Sequence, residues 1–347
     1  FGKSKKSQTS GIISKDKSLK DKLLNWIRGN IFIPDPKKYW ITPTFNNLKK
    51  IVKDQKIEYI ISTGPPHSMH LIALKLKEKF KNIKWIADFR DPWSKLDILD
   101  DFNLTKRSLK KHKMLELKVL KNASMVLTVG ERWANDFIKL GAKNVEIITN
   151  GYDDEDFIDF KSTTTNKFIV GHFGVMNHLR NPSKLWASLD DLCNENNDFN
   201  KKLEIRLSGN IDQKILDEIK AFPNLNSKLV FLGYLKHSEV IKEYAKANLL
   251  LLLLFNSKSG KGNYPGKIFE YIATKKPILS FGPNESDVKN FLKKGYGFYH
   301  SYLTESDSIK ENILNIFNDE NDKNDIDSSI YSRKFLTKKL HKLIEKI

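Results

Sequence analysis

Short apolar runs alternate along the chain with stretches of helical periodicity. The runs rich in β-branched and aromatic residues predict strands at 57–63, 83–88, 125–129, 145–149, 168–171, 203–208, 229–233, 248–255 and 277–281. Strands that alternate with helices form parallel sheets through crossover connections. The pattern therefore predicts an α/β fold with two doubly wound, Rossmann-like domains. We expect them over residues 1–155 and 156–325, with a C-terminal helix over 326–347 that packs back toward the first domain.

Residues 249–254 are six consecutive leucines. The run is far shorter than the ~18 apolar residues that suggest a membrane span. It is also too continuous for an amphipathic helix, which alternates apolar and polar faces. The leucines therefore predict a strand of a parallel sheet that is buried on both faces.

The composition of the chain gives it a strong positive charge. Of 347 residues, 60 are lysine or arginine and 42 are acidic, which gives a formal net charge of +18. Such an excess indicates an anionic partner: nucleic acid, a membrane surface or a phosphorylated substrate. The single cysteine, Cys193, excludes an internal disulfide framework and favours a reducing, cytoplasmic location.

Four polar or glycine-rich stretches follow predicted strands directly. They are STGPPHSMH, DFRDPW, GHFGVMNHLRNP and SGKGNYPGK. Ligands of doubly wound sheets bind at the carboxyl ends of the strands, so these stretches hold the candidate site residues.

The stretch YPGKIFEYIATKKPILSFG, residues 264–282, carries the sharpest chemical pattern. A turn at Pro265 and Gly266 begins a helix whose first N–H groups are unpaired, and Lys267 adds a positive charge there. Glu270 follows one turn later, where it could accept hydrogen bonds from sugar hydroxyls. The alternative is that Lys267 and Glu270 form a solvent-exposed i,i+3 ion pair of little energetic value.

The segment from Pro265 to Leu279 resembles a helix of GT-B glycosyltransferases, specifically of glycosyltransferase family 4. In order, IFIPDPKKYW, ISTGPPHSMHLIALKLK, WIADFRDPWS and ITNGYDDEDF also resemble segments of one bacterial subfamily of these enzymes. Together the segments cover about residues 20–300. The resemblance implies two Rossmann-like domains that face a cleft, an acceptor-binding domain first and a nucleotide-sugar-binding domain second.

The implied reaction is transfer of a sugar from a nucleotide-sugar donor to a hydroxyl of a glycan or lipid-linked acceptor. Family members generally retain the anomeric configuration, and the subfamily usually acts in cell-surface polysaccharide assembly. The nucleotide-sugar is a substrate, and we expect no cofactor.

The resemblance also implies donor-site residues. Lys267, Gly266 and Arg180 would contact the diphosphate, Gly174 would let the backbone approach it, and Glu270 would bind the sugar hydroxyls. Tyr234, after the strand LVFL, could stack on the nucleobase. Arg180 as an ordinary surface arginine and Gly174 as a turn glycine remain the alternatives.

In the first half, DFRDPW places three candidates at a strand end. Asp91 would orient a reacting hydroxyl and Arg90 an acceptor phosphate, so we take both as candidate catalytic residues. A buried Arg–Asp pair that holds the loop together is the alternative. Trp93, His67 and His70 are acceptor-side candidates, and capping of the helix that follows the glycine loop is the alternative for the two histidines.

We expect no metal ion. His67 and His70 have no nearby acid, which makes a poor zinc site. The acidic triplet 154–156 lies in the hinge, and Lys267, Arg180 and a helix dipole are expected to neutralise the phosphates.

The chain departs from the family pattern in two places. Gly262 stands eight positions before Glu270, where the wider family often carries another glutamate. Nothing before residue 57 matches the first strand and glycine-rich loop of the family, and the chain begins with Phe1. We therefore expect that an amino-terminal portion is missing.

Two other functions fit parts of the pattern. A nucleotide-sugar 2-epimerase on the same fold would need acids and histidines placed for proton transfer. A nucleic-acid-binding protein is suggested by the charge alone. Aromatic residues are not interleaved with the basic runs as a stacking platform requires, so we expect no nucleic-acid partner.

Residues 15–28 combine an apolar stripe with basic residues. Leu19, Leu23, Trp26 and Ile27 recur at helical spacing, and the remaining surface carries Lys15, Lys17, Lys20, Lys22 and Arg28. This pattern predicts an interfacial helix that binds an anionic membrane surface on its inner, cytoplasmic face. An ordinary amphipathic helix packed on the first domain is the alternative.

Overall fold

The structure of the chain, a computed structural model, describes residues 18–319 and 327–347. These residues form two compact units. One comprises the chain up to Ile148 together with Leu343–Ile347, and the other comprises Thr149–Lys342. The predicted domain roles stay predictions. In the described ranges, no helix is long and apolar enough to cross a membrane.

The α-helices are numbered in chain order through both units. The first five lie in the first unit, the next seven lie in the second, and the last lies mostly in the second. The helices are α1 (Leu19–Asn30), α2 (Ile41–Asp54), α3 (Ser68–Lys79), α4 (Lys106–Asn122), α5 (Glu131–Lys139), α6 (Ser183–Glu195), α7 (Asn197–Lys202), α8 (Gln213–Ala221), α9 (His237–Lys246), α10 (Lys267–Ala273), α11 (Asp287–Leu292), α12 (Ser306–Phe317) and α13 (Arg333–Ile344).

The first unit holds a sheet of four parallel strands in sequential order: β1 (Tyr59–Gly64), β2 (Lys84–Phe89), β3 (Met125–Thr128) and β4 (Val145–Ile147). Ile61 pairs with Ile86 and Ile86 with Met125, which sets the register of the three leading strands. Crossover helices make the parallel pairing possible, as the alternating pattern predicted.

The second unit holds a sheet of six parallel strands in the order β10-β9-β8-β5-β6-β7. Their bounds are β5 (Phe168–Phe173), β6 (Leu203–Ser208), β7 (Leu229–Phe231), β8 (Leu249–Leu253), β9 (Ile278–Gly282) and β10 (Phe298–Ser301). The leucine strand β8 lies between β5 and β9, and all five of its side chains are buried. This confirms the prediction of a strand that is covered on both faces.

The sequence pattern predicted every strand except β10. This strand has only four residues, FYHS, three of which are half-buried. It pairs with β9 at the edge of the sheet. A short run with a polar residue in its centre has no clear period of two, so only its long-range pairing makes it a strand.

Candidate functional site

The strand order of the second sheet has a switch point at β5. Strand β6 pairs with one edge of β5, and β8 pairs with its other edge. Such a switch in strand order separates the connecting loops above the strand ends, which opens a ligand site there. The residues that follow β5 and those that begin α10 both contribute to this place.

The sequence sets the position of α10 through residues at its two ends. Pro265 and Gly266 form the turn before the helix, and buried Ile268 and Phe269 fix the helix on the core. Lys275 has a left-handed backbone with φ of 57° and ends the helix. Lys267 is thereby held at the first turn, next to the end of β5.

Lys267 reaches across to β5 and donates a hydrogen bond to the carbonyl oxygen of Phe173. Its amine occupies the space that a side chain at Gly174 would need. Any side chain at position 174 would therefore displace the Lys267 amine from its present place, and no unusual backbone angle calls for the glycine. Burial lowers the pKa of Lys267 to about 8; Glu270 raises this pKa and Arg180 lowers it further.

Arg180 supplies a second cation in the loop after β5. Its guanidinium carbon lies 3.5 Å from the ring centroid of Phe255. Its Nη1 donates to the carbonyl of Val175 at 3.4 Å. Burial lowers the pKa of Arg180. A partly buried, stacked guanidinium differs from the ordinary surface arginine of the alternative interpretation.

Within residues 18–319 and 327–347, no carboxylate forms an ion pair with Lys267 or Arg180. The charge of Arg180 also lowers the pKa of Lys267, as a nearby like charge does. Glu270 is a nearby carboxylate that raises the pKa of Lys267, but it forms no ion pair with either cation, so an added anion would stabilise both.

Glu270 accepts a hydrogen bond from the hydroxyl of Tyr244, with 2.9 Å between the oxygens. Tyr244 is fully buried, and burial raises its pKa so that it remains a donor. Only Oε2 of Glu270 is used in this bond, which leaves Oε1 for another partner. The alternative of a solvent-exposed ion pair between Lys267 and Glu270 is wrong, because each of the two side chains has a different, partly buried partner.

The start of α10 differs from the expectation that the first N–H groups of this helix are unpaired. The amide of Ile268 donates to Pro265 and that of Phe269 to Gly266, at 3.1 and 3.0 Å. These two N–H groups are therefore already paired within the turn. Open space surrounds the α-carbon of Gly266, where an added Cβ would meet no atom within 4 Å. The positive charge near this turn comes from the side chain of Lys267 rather than from a row of free amides.

Tyr234 lies in the loop after β7 and its side chain is 86% exposed. It follows Gly233, which has a left-handed φ of 66°. The carbonyl of Gly233 accepts bonds from Gly209 and from the hydroxyl of Ser208, both at 2.8 Å. The loop is thus anchored while the ring of Tyr234 is open to solvent, and its stacking on a base stays a prediction.

The acceptor-side candidates of the first unit lie in its core. Trp93, His67 and His70 are 1%, 6% and 0% exposed. The ring of His67 stacks on Trp93 at 4.8 Å, and Trp93 donates to Nδ1 of His112 at 3.0 Å. Burial, followed by the charge of His112, lowers the pKa of His67 to about 3. Direct contact of these three side chains with an acceptor does not fit this burial. The spacing placed them at a strand end but could not show that they point inward.

Arg90 and Asp91 occupy the loop after β2. Arg90 is exposed and its Nη2 donates to the carbonyl of Pro65 at 2.8 Å. The alternative of a buried Arg–Asp pair is therefore wrong. Burial raises the pKa of the half-buried Asp91, and the nearby charge of Arg90 lowers it. The catalytic roles of both residues stay predictions.

Two acidic residues of the hinge segment have basic partners. Asp156 lies 2.9 Å from Nε2 of His237, and Asp153 lies 3.3 Å from Arg333. In the part of the chain that the structure describes, no three His, Cys, Asp or Glu side chains are arranged to hold a metal ion.

His172 is the residue of this site that sequence reasoning missed. It is the fifth residue of β5, it is 3% exposed, and its Nε2 has no hydrogen-bond partner. The one available signal was a histidine inside the otherwise apolar run FIVGHF.

No family model matches the chain, and no curated protein matches it. Solved structures match over most of its length. A sucrose-phosphate synthase from Thermosynechococcus elongatus has a TM-score of 0.63 at 12% identity, over 89% of this chain and 78% of that chain. A glycosyltransferase from Rickettsia africae ESF-5 has a TM-score of 0.62 at 14% identity, over 96% and 83%.

A third solved structure is described as a UDP-N-acetylglucosamine 2-epimerase from Listeria monocytogenes. It matches with a TM-score of 0.54 at 10% identity, over 88% of this chain and 78% of that chain. Together with the two parallel sheets, these likenesses confirm the predicted GT-B fold.

The path of Lys267 past Gly174 yields a test of the anion site. We expect Gly174→Ala to weaken binding of inorganic pyrophosphate about tenfold, because the new methyl group displaces the ammonium, whose hydrogen bond to an anion is worth roughly 1.5–3 kcal/mol. Lys267→Met should weaken it as much, and the double variant no further, since both changes remove the same cation. Calorimetry measures the affinities and circular dichroism checks the fold. Additive losses in the double variant would contradict the shared cause.

Proposed function

We propose that the chain is a glycosyltransferase of family 4 that transfers a sugar from a nucleotide-sugar donor to a hydroxyl of a glycan or lipid-linked acceptor. The observation that carries the proposal is the pair Lys267 and Arg180 at the carboxyl end of β5, neither of which forms an ion pair with a carboxylate among the described residues. The diphosphate of a nucleotide-sugar would supply the missing anion.

In this proposal the reaction needs stabilisation of the departing nucleoside diphosphate. Negative charge grows on the diphosphate as the bond to the sugar breaks, and fixed cations in a partly desolvated site stabilise that charge strongly. Lys267 and Arg180 would perform this role without a metal ion. The free Oε1 of Glu270 would accept a bond from a hydroxyl of the donor sugar.

The acceptor hydroxyl would be oriented by Asp91, with Arg90 available for an acceptor phosphate. The resemblance to family 4 supports transfer with retention, in which a leaving phosphate oxygen helps to take the acceptor proton and no protein nucleophile takes part. It also supports a role in cell-surface polysaccharide assembly. The sugar-transferring proteins among the structural neighbours are consistent with this class of reaction.

A nucleotide-sugar 2-epimerase is the second candidate function, because a protein described as such shares the fold. The site itself favours the transferase. In the surroundings of Lys267 described above, the only histidine is His172, and burial lowers its pKa to about 3, which makes it a poor proton acceptor at neutral pH. Product analysis separates the two functions, since an epimerase converts its donor with no acceptor present.

The donor site is tested by calorimetry against a panel of nucleoside diphosphates. We expect one base to be preferred, and we expect Glu270→Ala and Lys267→Ala each to weaken its binding by about 1–3 kcal/mol, the loss of a bond to a charged group. Lys220→Ala, on the exposed surface of α8, is the matched control and should bind like the parent. If the parent binds no nucleoside diphosphate, or both site variants bind like the parent, the proposed function fails.

We also propose that α1 rests on an anionic membrane surface. Leu19, Leu23 and Trp26 are 84%, 59% and 40% exposed, so the alternative of a stripe packed on the first domain is wrong for these side chains. Ile27, the fourth residue of the predicted stripe, is half-buried. Lys20 and Lys22 are exposed on the same helix. Lys15 and Lys17 lie outside the described residues. Exposed apolar and basic side chains on one helix suit the boundary of an anionic leaflet.

Vesicle sedimentation tests the membrane proposal. We expect salt-sensitive binding to vesicles with anionic lipid and little binding to neutral vesicles. Lys20→Gln with Lys22→Gln should weaken binding by about 1 kcal/mol for each lysine. Lys214→Gln with Lys220→Gln removes the same charge from α8 and should have a much smaller effect. Equal binding to both kinds of vesicle, or none at low salt, would refute the proposal.

A further inference from the structure

His172 lies beneath the two cations with a fixed tautomer. Its Nδ1 lies 3.0 Å from the carbonyl oxygen of Leu251 in the neighbouring strand β8. A carbonyl only accepts, so Nδ1 must carry the proton and donate. In the neutral ring, Nε2 is then left as a hydrogen-bond acceptor.

Nε2 of His172 borders the space that the Lys267 amine fills. It lies 3.7 Å from the position of a Cβ built on Gly174, and the amine of Lys267 is the nearest atom to that same position. The backbone of Val175 also faces the ring and raises the pKa of His172; its carbonyl accepts a long bond from Arg180 at 3.4 Å. Nε2 itself is buried and has no partner. An unpaired buried acceptor costs roughly 1–3 kcal/mol, which an N–H donor would recover.

We propose that His172 is a positioning residue for Lys267. Its neutral Nε2 accepts one N–H of the ammonium and the carbonyl of Phe173 accepts another, so that the third N–H points at a phosphate oxygen of the donor. This inference rests on the proposed function for the identity of the anion.

The surrounding charges suit a neutral acceptor. Burial, and then the charge of Lys267, lower the pKa of His172 to about 3, so the ring carries no charge at physiological pH. Besides His172 on β5, the groups that face Lys267 are Arg180 in the loop after β5 and Glu270 on α10, with Tyr244 of α9 bonded to Glu270. Tyr271 of α10 is buried and its pKa is raised, so it stays neutral.

These groups fix the sign of the pH dependence. The pKa of Lys267 is lowered to about 8, so its charge is present below that pH and is lost as the pH rises through it. Affinity for a nucleoside diphosphate should therefore fall as the pH rises through the same range. An acceptor that stabilises the ammonium raises this midpoint, and its removal lowers it.

Two substitutions of His172 separate positioning from packing. Glutamine can place an amide oxygen near Nε2 but loses the Nδ1 bond to Leu251, whereas asparagine can keep a donor near Nδ1 but has no group near Nε2. We expect His172→Asn to lower the alkaline midpoint of nucleoside diphosphate binding by about one pH unit, the equivalent of one hydrogen bond to a charged group. His172→Gln should keep the midpoint of the parent.

Calorimetry from pH 6.5 to 9.5 gives the midpoints, with thermal melts of each variant to check folding. The experiment uses the nucleoside diphosphate that the parent binds best. If both variants keep the parental midpoint, or both shift it equally, His172 does not position Lys267. If instead the parent binds no nucleoside diphosphate, the proposed function fails first, so the two failures are distinguishable.

Discussion

The site depends on two positive charges that are held together, partly out of water, with no carboxylate ion pair within the described residues. Separating an ammonium and a guanidinium from water is costly, and burial accordingly lowers the pKa of both Lys267 and Arg180. The fold keeps them in place with dipoles and an aromatic ring: the carbonyl of Phe173 for Lys267, and Phe255 with the carbonyl of Val175 for Arg180. Such groups orient a cation without neutralising it, so the charge remains available for an anionic ligand.

The buried leucine strand β8 provides the rigid base for this arrangement. The carbonyl of Leu251 accepts bonds from His172 on β5 at 3.0 Å and from the hydroxyl of Tyr271 on α10 at 3.4 Å. One backbone group in the core therefore connects the strand below the site to the helix that carries Lys267 and Glu270. Close packing on both faces of β8 keeps that group in place.

The first unit uses its strand-end residues differently. His67, His70 and Trp93 are buried, and the ring of His67 in the loop after β1 stacks on Trp93 in the loop after β2, whereas Arg90 is exposed. The same kind of motif, a polar stretch directly after a parallel strand, thus yields packed rings in one unit and half-buried cations without an ion pair in the other. Whether a side chain packs or faces solvent depends on its direction, which strand-end position alone does not determine.

The sequence by itself determined the alternation of strands and helices, the buried leucine strand, and the placement of Lys267 and Glu270 on the first turn of a helix after Pro265 and Gly266. These features depend on local periodicity and turn chemistry, which neighbouring residues carry. Only the tertiary structure decided the partners of those side chains. Lys267 bonds to Phe173, 94 positions away, and Glu270 bonds to Tyr244 rather than to Lys267. The approach of Lys267 to Gly174, the unpaired nitrogen of His172 and the edge strand β10 likewise follow from contacts between distant segments, because a local pattern contains no information about which segments meet.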